Sequence, residues 1–160
     1  MNFKSLINKS LEFIVKRLVE LSGILLIFIS LLLFTSLLSY SPEDPNFIFP
    51  ESSEIKNLLG YKGSFVADFF YQSIGLISLL FCFTLFFGGI VIVKKKDISL
   101  IFGNFFYAIL YILLGSLFFS TYYPDSFWLI NNGNGGFLGK YLYNSFFASI
   151  INLNLEIFYY

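Results

Sequence analysis

The feature that most limits how this chain can fold is an uncharged stretch of 22 residues, from Leu21 to Pro42. At about 1.5 Å per residue, a helix of that length spans roughly 33 Å, enough to cross a hydrocarbon core of about 30 Å. A helix on the surface of a soluble domain keeps a polar face, whereas this stretch carries no charge on any face. The sequence therefore predicts a membrane protein whose first transmembrane helix lies at 21–40.

Two further uncharged stretches follow, 25 residues at 69–93 and 27 residues at 98–124. Charged residues make up only 12% of the chain and are missing from long blocks, which separates membrane helices from an apolar soluble core. We predict the second and third transmembrane helices at 71–93 and 99–121. The predicted fold class is an all-α membrane protein, a multi-span helical bundle of three clear transmembrane helices and a partial or truncated fourth.

The fourth helix is incomplete in the sequence. Residues 141–155 are uncharged, but 15 residues are few for a crossing, and three asparagines weaken the stretch further. We expect 141–160 to form either a partial fourth span or an interfacial, re-entrant helix. A complete fourth span would need residues beyond Tyr160, so we expect the sequence to be the front piece of a longer protein.

The placement of lysine and arginine predicts which loops face the cytoplasm. Four of the ten lie in residues 1–20 and three, Lys94, Lys95 and Lys96, in the short basic turn 94–98; two lie in the loop 41–70 and one in the glycine-rich loop 122–140. The positive-inside rule then predicts a cytoplasmic N-terminus and turn, with both longer loops periplasmic. Residues 1–20 carry apolar residues at intervals of three and four, which indicates an amphipathic segment on the membrane surface. A cleaved signal peptide is disfavoured because the hydrophobic stretch that follows exceeds the usual length of about 7–15 residues and Pro42 comes directly after it.

The first loop contains prolines and carboxylates. Its prolines, at 42, 45 and 50, exclude a regular helix across 41–50. We expect Ser52 or Ser53 to cap a short helix that ends at Gly60, and Gly60–Gly63 to turn the chain back to the membrane. Glu43, Asp44 and Asp68 are candidates for acid–base chemistry, but no nucleophile or metal partner accompanies them, and Asp44 is expected to bond its own turn.

Small residues recur at intervals of seven in the second and third spans, a spacing that lets helix backbones approach closely in lipid. The candidate helix-packing residues are Gly75, Ser78, Cys82, Gly89, Ala108 and Gly115. Cys82 is the only cysteine and the chain has no histidine, so a packing role is favoured over a redox or metal-binding thiol. Asn104 is expected to form an interhelical hydrogen bond rather than a substrate or ion site.

The glycine-rich stretch that precedes Lys140 resembles the end of a phosphate-binding loop. However, Asn134 stands where the first glycine is required, Tyr141 stands where the hydroxyl is required, and no strand precedes it. We therefore predict a bend at the membrane face instead of a nucleotide site.

Several short segments carry a family resemblance. The first span ends in Leu-Leu-Ser-Tyr-Ser-Pro-Glu-Asp-Pro45; Asn57-Leu-Leu-Gly60, Gly63-Ser-Phe-Val-Ala-Asp68, Ser73-Ile-Gly-Leu and Gly-Gly-Phe-Leu-Gly139 follow. Over about residues 20–145 the chain resembles the N-terminal four-transmembrane domain of the FtsK/SpoIIIE family of bacterial DNA translocases. The motif residues on which this rests are Ser39, Tyr40, Ser41, Pro42, Asp44, Pro45, Gly60, Gly63, Asp68, Gly135, Gly136 and Gly139.

The resemblance implies a domain that anchors a translocase in the inner membrane and gathers it at the division septum, with other division proteins and the lipid bilayer as partners. In the family, a linker and a hexameric motor follow and pump double-stranded DNA, so the resemblance implies a homo-oligomer with ATP and magnesium bound only downstream. No catalytic residue, cofactor, metal site or direct DNA contact is expected within residues 1–160. The alternative, a small multi-span transporter or channel subunit, is disfavoured because the three spans lack ionisable residues.

Overall fold

The computed structural model describes residues 3–45, 54–97, 99–126, 128–129 and 131–147. Within those ranges the chain forms helices and no strand. The helices are α1 (Phe3–Leu38), α2 (Gly60–Ile74), α3 (Ile77–Lys95), α4 (Ser99–Tyr122) and α5 (Gly136–Leu142), the last continued by a π-helical turn, Tyr143–Phe147. Three helices are long and apolar enough to cross a membrane: α1 over Asn8–Leu38, α3 and α4. The predicted all-α multi-span fold is confirmed.

The helix α1 is continuous over 36 residues, so the amphipathic segment and the first span form one rod. It packs along α3 with backbone contact. A Cβ built on Gly23 would lie 2.8 Å from the carbonyl oxygen of Gly89, and one built on Gly89 would lie 2.7 Å from that of Gly23. Nearer the end of α1, the Ser30 hydroxyl donates to the Cys82 carbonyl at 2.7 Å. Close approach of this kind requires small residues on both helices.

The two ends of the bundle differ in character. One, here called the loop end, consists of residues 39–45, 54–59, 123–126, 128–129 and 131–135, which follow α1 and α4 and precede α2 and α5. The other, here called the lysine end, consists of residues 94–97, which end α3 and lead towards α4. The buried core lies towards the loop end, and its buried members are Leu33, Leu37, Ala67, Tyr71, Cys82 and Leu129.

The predicted second span is not one helix, because the chain breaks at Gly75 and Leu76. Gly75 has φ of 67°, in the left-handed region that favours glycine. Both ends of α2 contact groups near the loop end. In its first turn, the Gly63 carbonyl accepts a hydrogen bond from the Ser36 hydroxyl. Just past its last residue, the backbone N–H of Leu76 donates to the Asn134 carbonyl. The helix α2 therefore lies across that end of the bundle, and the crossing begins at Ile77, not at residue 71.

The predicted short helix in the first loop is also wrong in its described part. Ser52 and Ser53 lie outside the described residues, and residues 54–59 form irregular structure and a turn. Gly60, expected to end a helix, instead begins α2 with φ of 64°. Of the predicted segment 141–160, the structure describes only the end of α5 and the π-helical turn, and residues 148–160 lie outside the described ranges.

Candidate functional site

The loop end is held together by a network of buried polar contacts, here called the polar clasp, whose central residues are Asp44 and Asn57. Both are 4% exposed. The Asp44 carboxylate accepts the backbone N–H of Lys56 and that of Asn57, each at 2.9 Å, one on each oxygen. Asp44 thus bonds residues twelve and thirteen positions ahead in the chain, not its own turn as expected, and it closes the first loop.

Asn57 joins the closed loop to the end of α1. Its side-chain amide donates to the carbonyls of Ser36, at 2.8 Å, and Ser39, at 3.3 Å, and its amide oxygen accepts the N–H of Leu59 at 3.0 Å. The last four carbonyls of a helix have no partner within the helix, so Asn57 supplies one from another segment. Asn57 belongs to one of the family motifs, but the sequence does not predict these contacts, because its partners Ser36 and Ser39 lie about 20 residues earlier.

Serine and glycine bring α2 against the same helix end. The Ser36 hydroxyl donates to the Gly63 carbonyl, and the Ser64 hydroxyl donates to the Pro45 carbonyl. A Cβ built on Gly63 would lie 2.2 Å from the Asn57 side-chain oxygen. A residue with a side chain at position 63 would therefore displace the Asn57 side chain. Gly63 thus has a packing role, whereas the sequence suggested that it forms a turn.

A second chain of hydrogen bonds extends the clasp from α1 to the glycine-rich loop. The Tyr40 hydroxyl donates to Asp68 at 3.1 Å, Gln72 donates to the same Asp68 oxygen at 3.3 Å, and Asn132 donates to the Gln72 side chain at 2.9 Å. Burial, and then the charge of Asp68, raise the pKa of the Tyr40 phenol well above its usual value. Tyr40 is therefore a neutral donor at any physiological pH.

Glycines allow α5 to pack on α4 and on the α2–α3 break. Cβ atoms built on Gly135 and Gly139 would lie 2.5 and 2.2 Å from the Ser116 carbonyl oxygen, and one on Gly136 would lie 2.5 Å from the Gly75 nitrogen. These residues thus mark close backbone contacts between segments about 20 to 60 residues apart.

Of the remaining candidate packing residues, Gly115 faces the Ile77 side chain and Ala108 is buried. The Ser78 hydroxyl donates locally to the Gly75 carbonyl. Asn104 lies beside Gly88 of α3. Pro42 is exposed, and the Ser41 hydroxyl accepts the nearby Glu43 N–H at 3.4 Å; among the described residues neither side chain bonds to Asp44 or Asn57.

The lysine end has a cluster of ion pairs centred on Glu20, which the sequence did not predict. The Glu20 carboxylate, on a side chain only 16% exposed, pairs with Arg17 and with Lys96, so it links α1 to the end of α3. Lys94 and Lys95 are exposed. The backbone N–H of Ser99, at the start of α4, donates to Asp97 at 2.9 Å and lowers the pKa of the Asp97 carboxyl. The distribution of lysine and arginine predicts only the membrane orientation of the chain. It does not predict the Glu20–Lys96 pair, because the positive-inside rule takes no account of acidic partners.

The fold and the polar clasp define a multi-pass membrane domain whose buried polar groups join helices to loops. A family model described as the 4TM region of DNA translocase FtsK/SpoIIIE matches residues 15–153. The chain belongs to this family.

A comparison with curated proteins gives a similar result. The chain is 27% identical over 128 residues to the DNA translocase FtsK of Rhizobium meliloti (strain 1021), an alignment that covers 80% of this chain and 14% of that protein. The chain therefore corresponds to a small part of the relative's length. No solved structure matches it.

Proposed function

We propose that this chain is the inner-membrane anchor and septal recruitment domain of a DNA translocase that acts in cell division and chromosome segregation. The observation that carries the proposal is the family match over residues 15–153. The ATP-driven motor, with its ATP and magnesium, is assigned to a part of the protein outside residues 1–160. Within these residues the proposal assigns no catalytic group, cofactor or DNA contact.

The contacts between segments suit an anchor. A motor that pulls on DNA transmits an equal force to its membrane attachment, so the attachment must resist separation of its helices. At the loop end, Asp44 and Asn57 tie the first loop to α1 by hydrogen bonds that are costly to break when buried. Between the ends, α1 meets α3 at Gly23 and Gly89, and at the lysine end Glu20 pairs with Lys96.

The charge distribution supports a cytoplasmic lysine end and a periplasmic loop end. Seven of the ten basic residues lie in residues 1–20 and 94–98. Near an anionic membrane surface each contributes about 1 kcal/mol of attraction, so lipid binding and orientation account for these charges without DNA. In the proposal the partners are the bilayer and other division proteins, and oligomerisation into a hexamer is assigned to the motor.

The proposal is tested with the full chain fused to a fluorescent protein and expressed at low level in dividing rod-shaped bacteria. We expect a band at midcell in constricting cells. The variant Gly63→Val, which displaces Asn57, should lose the band, whereas Gly103→Val, which points into open space, should keep it. Uniform fluorescence around the envelope from the well-folded native chain would contradict septal recruitment.

A further inference from the structure

A groove of about 360 Å³ lies between α1, α2 and α3 and opens on the side of the bundle. Its walls are almost entirely apolar and include Ile29, Leu32, Leu33, Phe70, Phe81 and Leu85. The Ser36 hydroxyl also lines it but is engaged with the Gly63 carbonyl. The groove is therefore an apolar slot with one polar feature left at its rim, the side chain of Lys62.

The groove lies at membrane depth. Along α1 it extends from Ser36 down to Ile29, about 10 Å at 1.5 Å per residue, within a helix that is apolar and long enough to cross the bilayer. Ile29 is 43% exposed, Leu32 41% and Val66 38%, so the slot opens sideways onto the lipid. In that setting the occupant that matches its walls is a hydrocarbon chain.

Lys62 lies on α2, which crosses the loop end above this slot, and its side chain is exposed. In the described ranges Lys62 has no ion pair, and three acids in or beside the loop end have other partners: Glu43 pairs with Lys56, and Asp44 and Asp68 are hydrogen-bonded within the clasp. A cation at the loop-end rim of an apolar slot matches the two parts of an acidic phospholipid.

We propose that this groove binds one acidic phospholipid, with an acyl chain between α1 and α3 and the phosphate beside Lys62. The lipid would fill the space under α2 and link that helix to the two crossing helices. An isolated surface lysine attracts acidic lipids in general and does not hold one particular molecule. The apolar slot adds a fixed seat for the chain, so charge and groove should both be needed for binding of a single molecule.

The test uses the purified full chain in detergent, titrated with phosphatidylglycerol or phosphatidylcholine and observed by native mass spectrometry. We expect one phosphatidylglycerol to bind more tightly than phosphatidylcholine. Lys62→Gln should weaken phosphatidylglycerol binding about fivefold and weaken phosphatidylcholine, which has the same phosphate but no net charge, by much less; Lys62→Arg should restore phosphatidylglycerol binding. Val66→Trp, which fills the slot, should weaken both lipids. Matched controls are Lys140→Gln, another exposed lysine, and Leu110→Trp on an exposed face of α4.

Circular dichroism and thermal midpoints establish that each variant is folded. Equal losses from Lys62→Gln and Lys140→Gln would overturn the assignment of the phosphate, since only total charge would then matter. Native affinity in Val66→Trp would overturn the assignment of the acyl chain. The proposal needs only membrane insertion, so its failure is distinguishable from a failure of septal recruitment.

Discussion

At the scale of single residues, Asp44 and Asn57 determine how the loop end is built. Each is 4% exposed, and each makes hydrogen bonds with backbone groups of a different segment. Buried polar groups are stable only when such partners are present, because an unpaired one retains its full desolvation cost. The conformation of the described part of the first loop therefore depends on these two side chains.

Replacing Asp44 by alanine should lower the free energy of unfolding by about 2–3 kcal/mol, since two hydrogen bonds to a charged acceptor are lost and two backbone donors remain. The measurement is denaturant unfolding of the purified chain in detergent. Glu43→Gln is the matched control: Glu43 is an exposed carboxylate whose pair with Lys56 lies at the surface, and exposed pairs contribute little, so it should change stability far less than Asp44→Ala. Equal effects of the two changes would contradict a structural role for Asp44.

Replacing Gly63 by alanine should lower the thermal midpoint, since the added Cβ would lie 2.2 Å from the Asn57 side-chain oxygen and displace it. Gly103→Ala is the control: its Cβ would meet nothing within 4 Å, and alanine is favoured over glycine inside a helix by about 1 kcal/mol. The thermal midpoints of the two variants, measured in one series, should therefore shift in opposite directions from that of the native chain. A stabilised Gly63→Ala variant would show that Asn57 does not need this space.

At the scale of helices, α1 and α3 form the most extensive contact among the described helices, and their approach at Gly23 and Gly89 sets the distance between them. The break at Gly75 then lets α2 lie across the loop end, where it covers the core and the lipid-facing groove. The glycines of α5 bring that helix onto α4 and onto the break. Each of these element contacts depends on glycine at a particular position.

Replacing Gly89 by valine should force α1 and α3 apart, because the added atoms would meet the Gly23 carbonyl and the Ile27 backbone and side chain. Backbone cannot yield as a flexible side chain does, so we expect a marked gain in protease sensitivity of the purified chain. Gly103→Val places the same side chain on an open face of α4 and should remain as resistant as the native chain. Unchanged resistance of Gly89→Val would rule out tight backbone packing.

The three crossings were predictable because the absence of charge from Leu21 to Leu38 and from two later stretches is a local property. The break at Gly75 was not, since it depends on Asn134, nearly 60 residues later. Asn57 and Glu20 were missed for the same reason: their partners come together only in the folded chain. The family motif identified several residues of the clasp, including Tyr40, without their contacts. The spacing of charged and apolar residues therefore predicts the spans, but it does not predict the contacts that connect one helix or loop to another.

At the scale of the whole molecule, three of the described helices are long and apolar enough to cross the bilayer, and the bundle has two chemically different ends. The loop end is closed by the polar clasp, and the lysine end carries the basic turn and the Glu20–Lys96 pair. The predicted sidedness places the loop end in the periplasm and the lysine end in the cytoplasm. That orientation is the one that the proposed anchor role requires, since a motor that acts on DNA would have to lie on the cytoplasmic side.

The most direct test of this architecture is single-cysteine labelling in intact cells with a membrane-impermeant maleimide. In a Cys82→Ala background, Leu58→Cys and Asn131→Cys at the loop end should label from outside, because both positions are exposed there. Ser10→Cys lies in the N-terminal part of α1, and Ser99→Cys lies beside the lysine end. Both positions should label only after the inner membrane is permeabilised. Labelling of either serine position from outside, or of a loop-end position only after permeabilisation, would contradict the three-crossing arrangement.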